Sequence, residues 1–394
     1  MEKLPAKRIE SIDLLRGVVM VIMALDHVRD FFHINALAGN VPTNLDTTTP
    51  ELFFTRFITH FCAPTFVFLA GTSAFLYGQR KTREELFRFL ITRGIWLIFV
   101  EITIMSALWW FDPAYGFINL QVIWAIGISM ILLALLILLP KNWILGIGLL
   151  LIFGHNLLDG LTTQGQDLLA VIWYILHQGG SVVTDDHFIY IMYPIIPWVG
   201  VMALGYVFGT LYRNGFSEIR RGKWLFSLGL GSIALFFVLR LTNIYGDPSP
   251  WEAQETGLYS VLSIFNVTKY PPSLLYLLIT LGPAFLFLYL TETIKNKVTS
   301  FFLVFGRVPF FYYLLHILFI HLAALLGLIV TGGDWEIMII KKNSILTGQF
   351  AGYGYPLIVV YVIWIIIVLL LYFPSKKYME YKIRNRHKWW LSYL

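Results

Sequence analysis

Apolar residues run along this chain in long, nearly unbroken blocks rather than in the narrow stripes of soluble amphipathic helices. Ten blocks lie near 12–33, 52–77, 88–111, 119–139, 143–159, 189–212, 224–243, 271–291, 308–330 and 355–373. Each approaches the roughly 20 residues that a membrane-crossing helix needs. The pattern predicts an all-α, polytopic transmembrane bundle of about ten helices, forming one integral membrane domain over 1–394. The fifth block is short and holds His155 and Asn156. Residues 168–177 are apolar but too short to span, and read as a re-entrant or interfacial piece; 258–267 reads the same way.

Charge in the connecting segments orients the bundle. With Lys3, Lys7 and Arg8 placed in the cytoplasm, the alternate loops facing the same way carry Arg80, Lys81 and Arg83, then Lys141, then Arg213 to Lys223, then Lys295 and Lys297. The tail adds Lys376, Lys377, Lys382, Arg384, Arg386 and Lys388. The opposite segments 34–50, 112–118, 160–188 and 244–266 contain no Lys or Arg, and only 331–354 breaks the rule, with Lys341 and Lys342. By the positive-inside rule both termini are therefore expected in the cytoplasm.

Composition narrows the function classes. The 394 residues are 58% hydrophobic and only 13% charged, against about 25% charged in an ordinary soluble domain. A soluble globular protein, a disordered chain and a nucleic-acid binder are excluded. The lone cysteine, Cys62, permits no intramolecular disulfide. Glu10, Asp13 and Arg16 interrupt the stretch where a signal peptide would carry its apolar segment.

Ionisable groups at membrane depth are expensive and mark function by default. The first block holds seven: Asp13, Arg16, Asp26, His27, Arg29, Asp30 and His33. Arg16 and His27 are eleven residues apart, three helical turns plus about 20°, so they share a face about 16 Å apart along the axis. Asp13 and Asp30 fall on the same arc, with Asp26 and His33 to one side. A neutral imidazole there can act as general base or accept an acyl group itself, with Asp30 placed to orient it. Arg16 suits a phosphate or carboxylate. The competing structural reading makes Asp13–Arg16 and Asp26–Arg29 simple packing pairs.

Further candidates lie downstream. Lys269 opens the eighth block from outside, in Lys269-Tyr-Pro-Pro-Ser273. Arg307, Tyr312 and His316 open the ninth from inside. His316 and His321 are five apart and share no helix face, so they are not a metal pair. His60, Pro194 and Pro197 read as parts of a broken or kinked region, Asp185-Asp186-His187 as solvated surface, and Glu101 and Arg240 as partners for other buried charges. No phosphate loop, dinucleotide fingerprint, zinc spacing or nucleophile elbow occurs, so no metal and no permanently bound cofactor is expected. On residues alone, an enzyme competes with a transporter using the buried Asp, Arg and His groups as a proton relay or substrate gate.

Four segments in order carry a resemblance: Ser11-Ile-Asp13-Leu-Leu-Arg16-Gly17 with Asp26-His27, then Pro64-Thr-Phe-Val-Phe-Leu-Ala-Gly71, Lys269-Tyr-Pro-Pro-Ser273, and Gly306-Arg-Val-Pro-Phe-Phe-Tyr-Tyr-Leu-Leu-His316. Together they resemble bacterial relatives of heparan-α-glucosaminide N-acetyltransferase. The first helix is also similar to that of bacterial membrane O-acyltransferases, in which a His follows the Arg of an Ile-Asp-x-x-Arg segment by eleven residues. The resemblance implies an acyltransferase of the cell (inner) membrane, taking acetyl from cytoplasmic acetyl-CoA and passing it to a sugar or glycan on the far side. A homodimer is compatible with it, and nucleic acid is not a partner. His27, Asp30 and His33 are then the catalytic candidates, and Asp13, Arg16, Asp26, Lys269, Arg307, Tyr312 and His316 the substrate-binding ones. The lysosomal enzyme's proposed acetyl-carrying His lies beyond the first helix, where this chain offers only His33, so His27 and His33 compete for that role.

Overall fold

The computed structural model describes residues 9–344, 347–385 and 387–392; Lys3, Lys7, Arg8 and Arg386 lie outside them. Among these residues fifteen α-helices form in chain order: α1 (Glu10–Phe32), α2 (Pro50–Thr59), α3 (Cys62–Gly78), α4 (Arg83–Val100), α5 (Ser106–Trp110), α6 (Val122–Leu136), α7 (Lys141–Gly154), α8 (Leu168–Trp173), α9 (Ile195–Phe208), α10 (Glu218–Thr242), α11 (Gly257–Phe265), α12 (Leu274–Thr291), α13 (Lys297–Arg307), α14 (Pro309–Thr331) and α15 (Leu357–Arg384). Among the described residues, eight helical stretches are long and apolar enough to cross a membrane: α2 with α3, α4 with α5, α7 and the turn after it, α9 and the turn after it, α10, α12, α14 and α15. The other two predicted spans are occupied by α1, whose charges set it apart, and by α6, which is short. The fold is the expected polytopic α-bundle, and residues 168–177 and 258–267 become the short helices α8 and α11.

Apolar blocks make the helices, and local chemistry ends them. Thr82 and Glu85 form a reciprocal capping box at the start of α4, satisfying two of the donors that a helix N-terminus leaves unpaired. Pro309 starts α14, where a missing N–H costs little. The α14 C-terminus closes on Gly332, whose φ of 73° is left-handed. A π-helical turn at Glu101–Met105 separates α4 from α5. The wide outer faces of α10 and α15 stay exposed and apolar, as at Val238, Leu241, Ile365 and Leu369, which suits hydrocarbon.

Strands appear where the pattern predicts loops and helix starts. β1 (Phe117–Leu120), β2 (Gly180–Val183) and β3 (Phe188–Ile191) form a sheet in the order β1-β3-β2, with β1 parallel and β2 antiparallel to β3. The helices predicted from 119 and 189 therefore begin later, at Val122 and Ile195. A second correction concerns Gly306-Arg307. They end the separate helix α13, and Val308, at φ −134°, breaks the chain before α14.

Helix α1 runs through the middle of the bundle, touching α2, α3, α12, α13, α14 and α15. Two crossings are tight because glycines face backbone. A Cβ on Gly17 would sit 2.0 Å from the Phe302 carbonyl oxygen, and one on Gly306 1.8 Å from that of Asp13, so α1 and α13 touch without intervening side chains. Gly71 and Gly205 do the same between α3 and α9, where an added Cβ would lie 2.1 Å from the carbonyl oxygens of Met202 and Phe68 respectively.

The connecting segments divide onto two faces, as the charge pattern predicts. On one, Asn266 donates to the Thr43 carbonyl at 3.0 Å and Tyr259 to that of Thr48 at 3.0 Å. The same face explains the basic exception: Lys342 donates to the carbonyls of Thr184 and Asp185 at 2.6 and 2.9 Å. On the other, Glu10 pairs with Lys295 at 3.0 Å and Arg307 at 3.7 Å. Lys382 near the end of α15 shares a cavity there with Arg16 and Arg307, so α1 starts and α15 ends on one face.

Candidate active site

Two cavities meet along α1. The first, about 470 Å³, opens toward the loop face and is lined by Asp26, His27 and Asp30 of α1, Arg56 of α2, Asn119 of β1, Tyr190 of β3, and Lys269 with Tyr270. The second, about 380 Å³, lies toward the face with the chain ends; Arg16, Ser73, Arg93, Arg307 and Lys382 line it. Phe66, Val122 and Tyr313 border both, so the cavities share a thin apolar and aromatic wall. Arg16 in one and His27 in the other are separated by the 11-residue step that the helix repeat predicts.

The imidazole of His27 is held from behind. Its Nδ1 lies 2.6 Å from Nε2 of His316 on α14, and Nδ1 of His316 lies 3.0 Å from the Tyr312 carbonyl oxygen. A carbonyl oxygen only accepts, so Nδ1 of His316 carries a hydrogen and, in the neutral ring, Nε2 carries a lone pair. That lone pair accepts the Nδ1–H of His27, leaving Nε2 of His27 unprotonated on the ring that lines the loop-face cavity. Trp109 meets the His27 ring edge-on at 4.9 Å, and Tyr312 stacks on His316 at 5.3 Å. The rings therefore have little freedom to turn.

A charged network sits beside this pair. Asp26 accepts from Arg29 at 3.0 Å and from Arg56, while Asp30 accepts from Arg29 at 2.6 Å. Two carboxylates thus meet two guanidiniums, and Lys269, also lining the cavity, is an additional cation. Lys269 is carried on a loop fixed by Asp247, which accepts from the Thr268 N–H at 2.9 Å and the Ser273 hydroxyl at 2.6 Å. Ser273 in turn caps α12. Outside the spans, burial, and next to it the Tyr270 phenol, raise the Tyr190 hydroxyl above its ordinary range, so Tyr190 stays protonated beside the cavity.

The structure rearranges several expected roles. Asp30 lines the cavity but is spent on Arg29, which lies next to it in sequence and carries the opposite charge; His316, not Asp30, backs His27. Asp26 faces the same cavity as His27 instead of lying to one side. His33 caps the end of α1 and bridges to Tyr355; it lines neither of these two cavities, whereas His27 does. Asp13 pairs with Arg16 at 3.0 Å, and Arg16 also donates to Ser73 at 3.1 Å. Tyr312 is fully buried behind His316, and its neighbour Tyr313 forms the cavity wall. Arg307 lines the cationic cavity and Lys269 the loop-face one.

Among the described residues, Glu101 and Arg240 form no ion pair with another buried charge. The Glu101 carboxylate accepts the Trp124 N–H at 3.1 Å at the start of α6, a helix N-terminus that favours an anion. Arg240 donates to four carbonyls, of Ser249, Ser263, Ile264 and Asn266, at 2.6 to 2.9 Å, knotting the 249–266 segment together. His60 sits at the break between α2 and α3, buried. Sequence reading missed Arg56, Arg93 and Asp247. A lone Arg near a helix end reads as a snorkelling residue, and nothing local tells Asp247 from a loop aspartate.

A helix bundle with a histidine-centred polar cavity set against a cationic one places the protein among multi-pass membrane proteins with buried reactive groups. The family is given by sequence: the model for heparan-alpha-glucosaminide N-acetyltransferase, catalytic, matches residues 8–239. The chain belongs to this family, and is accordingly a multi-pass membrane acyltransferase working on an acyl donor and an acceptor. A comparison with curated proteins gives no match. The matched segment contains Arg16, His27 and Arg56, while from beyond it Lys269 and Arg307 complete the cavities and His316 backs His27.

Proposed function

We propose that the protein transfers an acetyl group from acetyl-CoA, bound at the cytoplasmic face, to a sugar or glycan amine or hydroxyl held at the outer face of the cell (inner) membrane. The observation that carries this is the pairing of a cationic cavity with a histidine cavity across the shared wall of Phe66, Val122 and Tyr313. Arg16, Arg93, Arg307 and Lys382 suit the phosphates of CoA. The step of about 16 Å from Arg16 to His27 suits an extended pantetheine arm carrying the thioester inward.

In this reading His27 Nε2 removes the proton as the acceptor amine or hydroxyl attacks the thioester carbonyl, CoA leaving as the thiolate and taking up a proton. The same nitrogen is equally placed to take the acetyl group first, as an acyl-imidazole, and pass it on. Either way the ring becomes positive, and the His316 lone pair that accepts its Nδ1–H stabilises that charge, as a carboxylate does in hydrolase triads. Lys269 and Arg56 bias the outer cavity toward the oxyanion that forms on the carbonyl. Asp13 and Asp26 position Arg16 and the Arg29–Arg56 pair.

The test is acetyl-CoA turnover by purified protein in detergent, followed as thiol release with amino sugars and oligosaccharides offered as acceptors. Wild-type turnover, lost in His27→Ala with CoA binding retained, supports the reading. Absence of CoA binding by the wild type overturns it.

A further inference from the structure

Away from both cavities, on the loop face, the end of α7 and the turn after α8 bring together His155, Asp159 and His177. Each offers one ligand atom, and the three atoms lie within 4.8 Å of one another. Both ring nitrogens of His155 are buried without a hydrogen-bond partner, on a residue 2% exposed. A neutral imidazole has one donor and one acceptor to satisfy, so leaving both unmet inside a protein is costly. The His177 ring, 1% exposed, lies 5.8 Å from that of His155; its Nε2 is 3.0 Å from one Asp159 oxygen and its Nδ1 is unpartnered. The other Asp159 oxygen accepts from Asn156 at 2.8 Å, the kind of outer hydrogen bond that fixes a metal-ligating carboxylate.

We propose that these three side chains bind a divalent transition metal ion, with Zn²⁺ the ion their donors suit best. Two imidazoles and one carboxylate select a borderline ion over Ca²⁺ or Mg²⁺. Ligand bonds of about 2.1 Å put the edges of a tetrahedral shell near ~3.4 Å, which small side-chain rotations reach. The ion takes the place of the proton between His177 and Asp159, draws in His155, and leaves a fourth position for water. The spacing escapes sequence rules because His177 follows Asp159 by 18 residues across an irregular segment.

The ion closes that excursion into a loop. It also braces the outer cavity from two sides. His177 lies two residues, Gln178 and Gly179, before β2, whose sheet contributes Tyr190 to the cavity, and Asn156 accepts the first N–H of α12 at 2.9 Å, just beyond the Lys269 loop. The proposal stands apart from the acetyl-transfer reading.

The experiment uses the full chain, purified without a histidine tag, stripped with chelator, and titrated separately with Zn²⁺, Co²⁺, Fe²⁺ and Mg²⁺. Expected are about one bound Zn²⁺ per chain by elemental analysis, a rise in melting temperature with Zn²⁺ but not Mg²⁺, and visible Co²⁺ bands. Asp159→Asn, which keeps shape and hydrogen bonding, lowers Zn²⁺ affinity by at least about tenfold; His155→Gln abolishes the Co²⁺ bands. Tighter binding of Fe²⁺ than of Zn²⁺ overturns the choice of ion. Stripped wild type that takes up no ion, or Asp159→Asn that binds as well as wild type, overturns the site.

Discussion

Replacing His316 by Phe tests the role proposed for His27 most directly. Phenylalanine keeps a ring to stack on Tyr312 at 5.3 Å but removes the lone pair that accepts the His27 Nδ1–H over 2.6 Å. A buried donor left without its partner costs about 1–3 kcal/mol, and the tautomer with Nε2 unprotonated loses its preference by a similar amount. At about 1.36 kcal/mol per decade, kcat for acetyl transfer should fall about 5- to 150-fold, with KM for acetyl-CoA unchanged. His27→Ala removes the base itself and should cost about 10²- to 10⁴-fold. His316→Gln presents an amide oxygen in place of the ring nitrogen and should recover most of the Phe loss. Because the two residues act as a unit, the double variant His27→Ala/His316→Phe should be no slower than His27→Ala alone. Thiol release from acetyl-CoA, measured in detergent for the four variants beside wild type, reads all of this. Multiplying losses in the double variant, or full activity in His316→Phe, would refute the assignment of His316 as the group that orients His27.

Three other perturbations follow from the packing and the charges. Gly306→Ala forces a methyl to within 1.8 Å of the Asp13 carbonyl oxygen, so α1 and α13 must separate; overpacking of about 1–3 kcal/mol or more should lower the melting temperature by several degrees, while Gly231→Ala, with nothing within 4 Å, should leave it unchanged. Arg56→Met leaves Asp26 with Arg29 as its remaining ion-pair partner among the described residues of a buried network, and losing one side of such a pair costs about 3–5 kcal/mol; thermal unfolding of the purified variant should show a large drop, and an unshifted midpoint would contradict the network. Arg307→Gln removes a cation from the cationic cavity; if that cavity holds the donor as proposed, a lost charge-assisted hydrogen bond of about 1.5–3 kcal/mol should raise KM for acetyl-CoA roughly 10- to 150-fold with little change in kcat, whereas an equal fall in kcat would place Arg307 elsewhere in the reaction.

How far the chain can be read without a structure depends on whether the deciding physics is local. Ten apolar blocks and an asymmetry of Lys and Arg are local, and they yield the spans, the two faces and the short helices α8 and α11. The strands escape because four residues in a polar segment carry too little alternation to compete with the apolar blocks that follow them. The face shared by Arg16 and His27 is also legible, since it needs only the helix repeat. Asp30 shows the limit of the same reasoning. Spacing of three residues puts a carboxylate within reach of an imidazole, but the adjacent guanidinium of Arg29 competes for it and wins on charge. The partner that His27 does use is 289 residues away, and only the motif around Gly306 and His316 hints that the two regions belong together.

The same long-range pairing says what the crowded first helix requires of the rest of the bundle. Seven ionisable side chains between Asp13 and His33 would not lie stably in hydrocarbon. Here Asp26 is answered by Arg56 from α2, His27 by His316 from α14, and Arg16 by Ser73 from α3 and the Gly306 carbonyl at 3.3 Å. Glycine at 17 and 306 lets α13 approach closely enough for that last bond to form. The candidate site residues and the residues that hold the helices together are thus the same. The segment matched by the family, 8–239, carries His27 but not the ring that sets its tautomer or the lysine across the cavity. Cut at 239, it would leave buried donors and charges without their partners, so the site can form only when the last four helices close around α1.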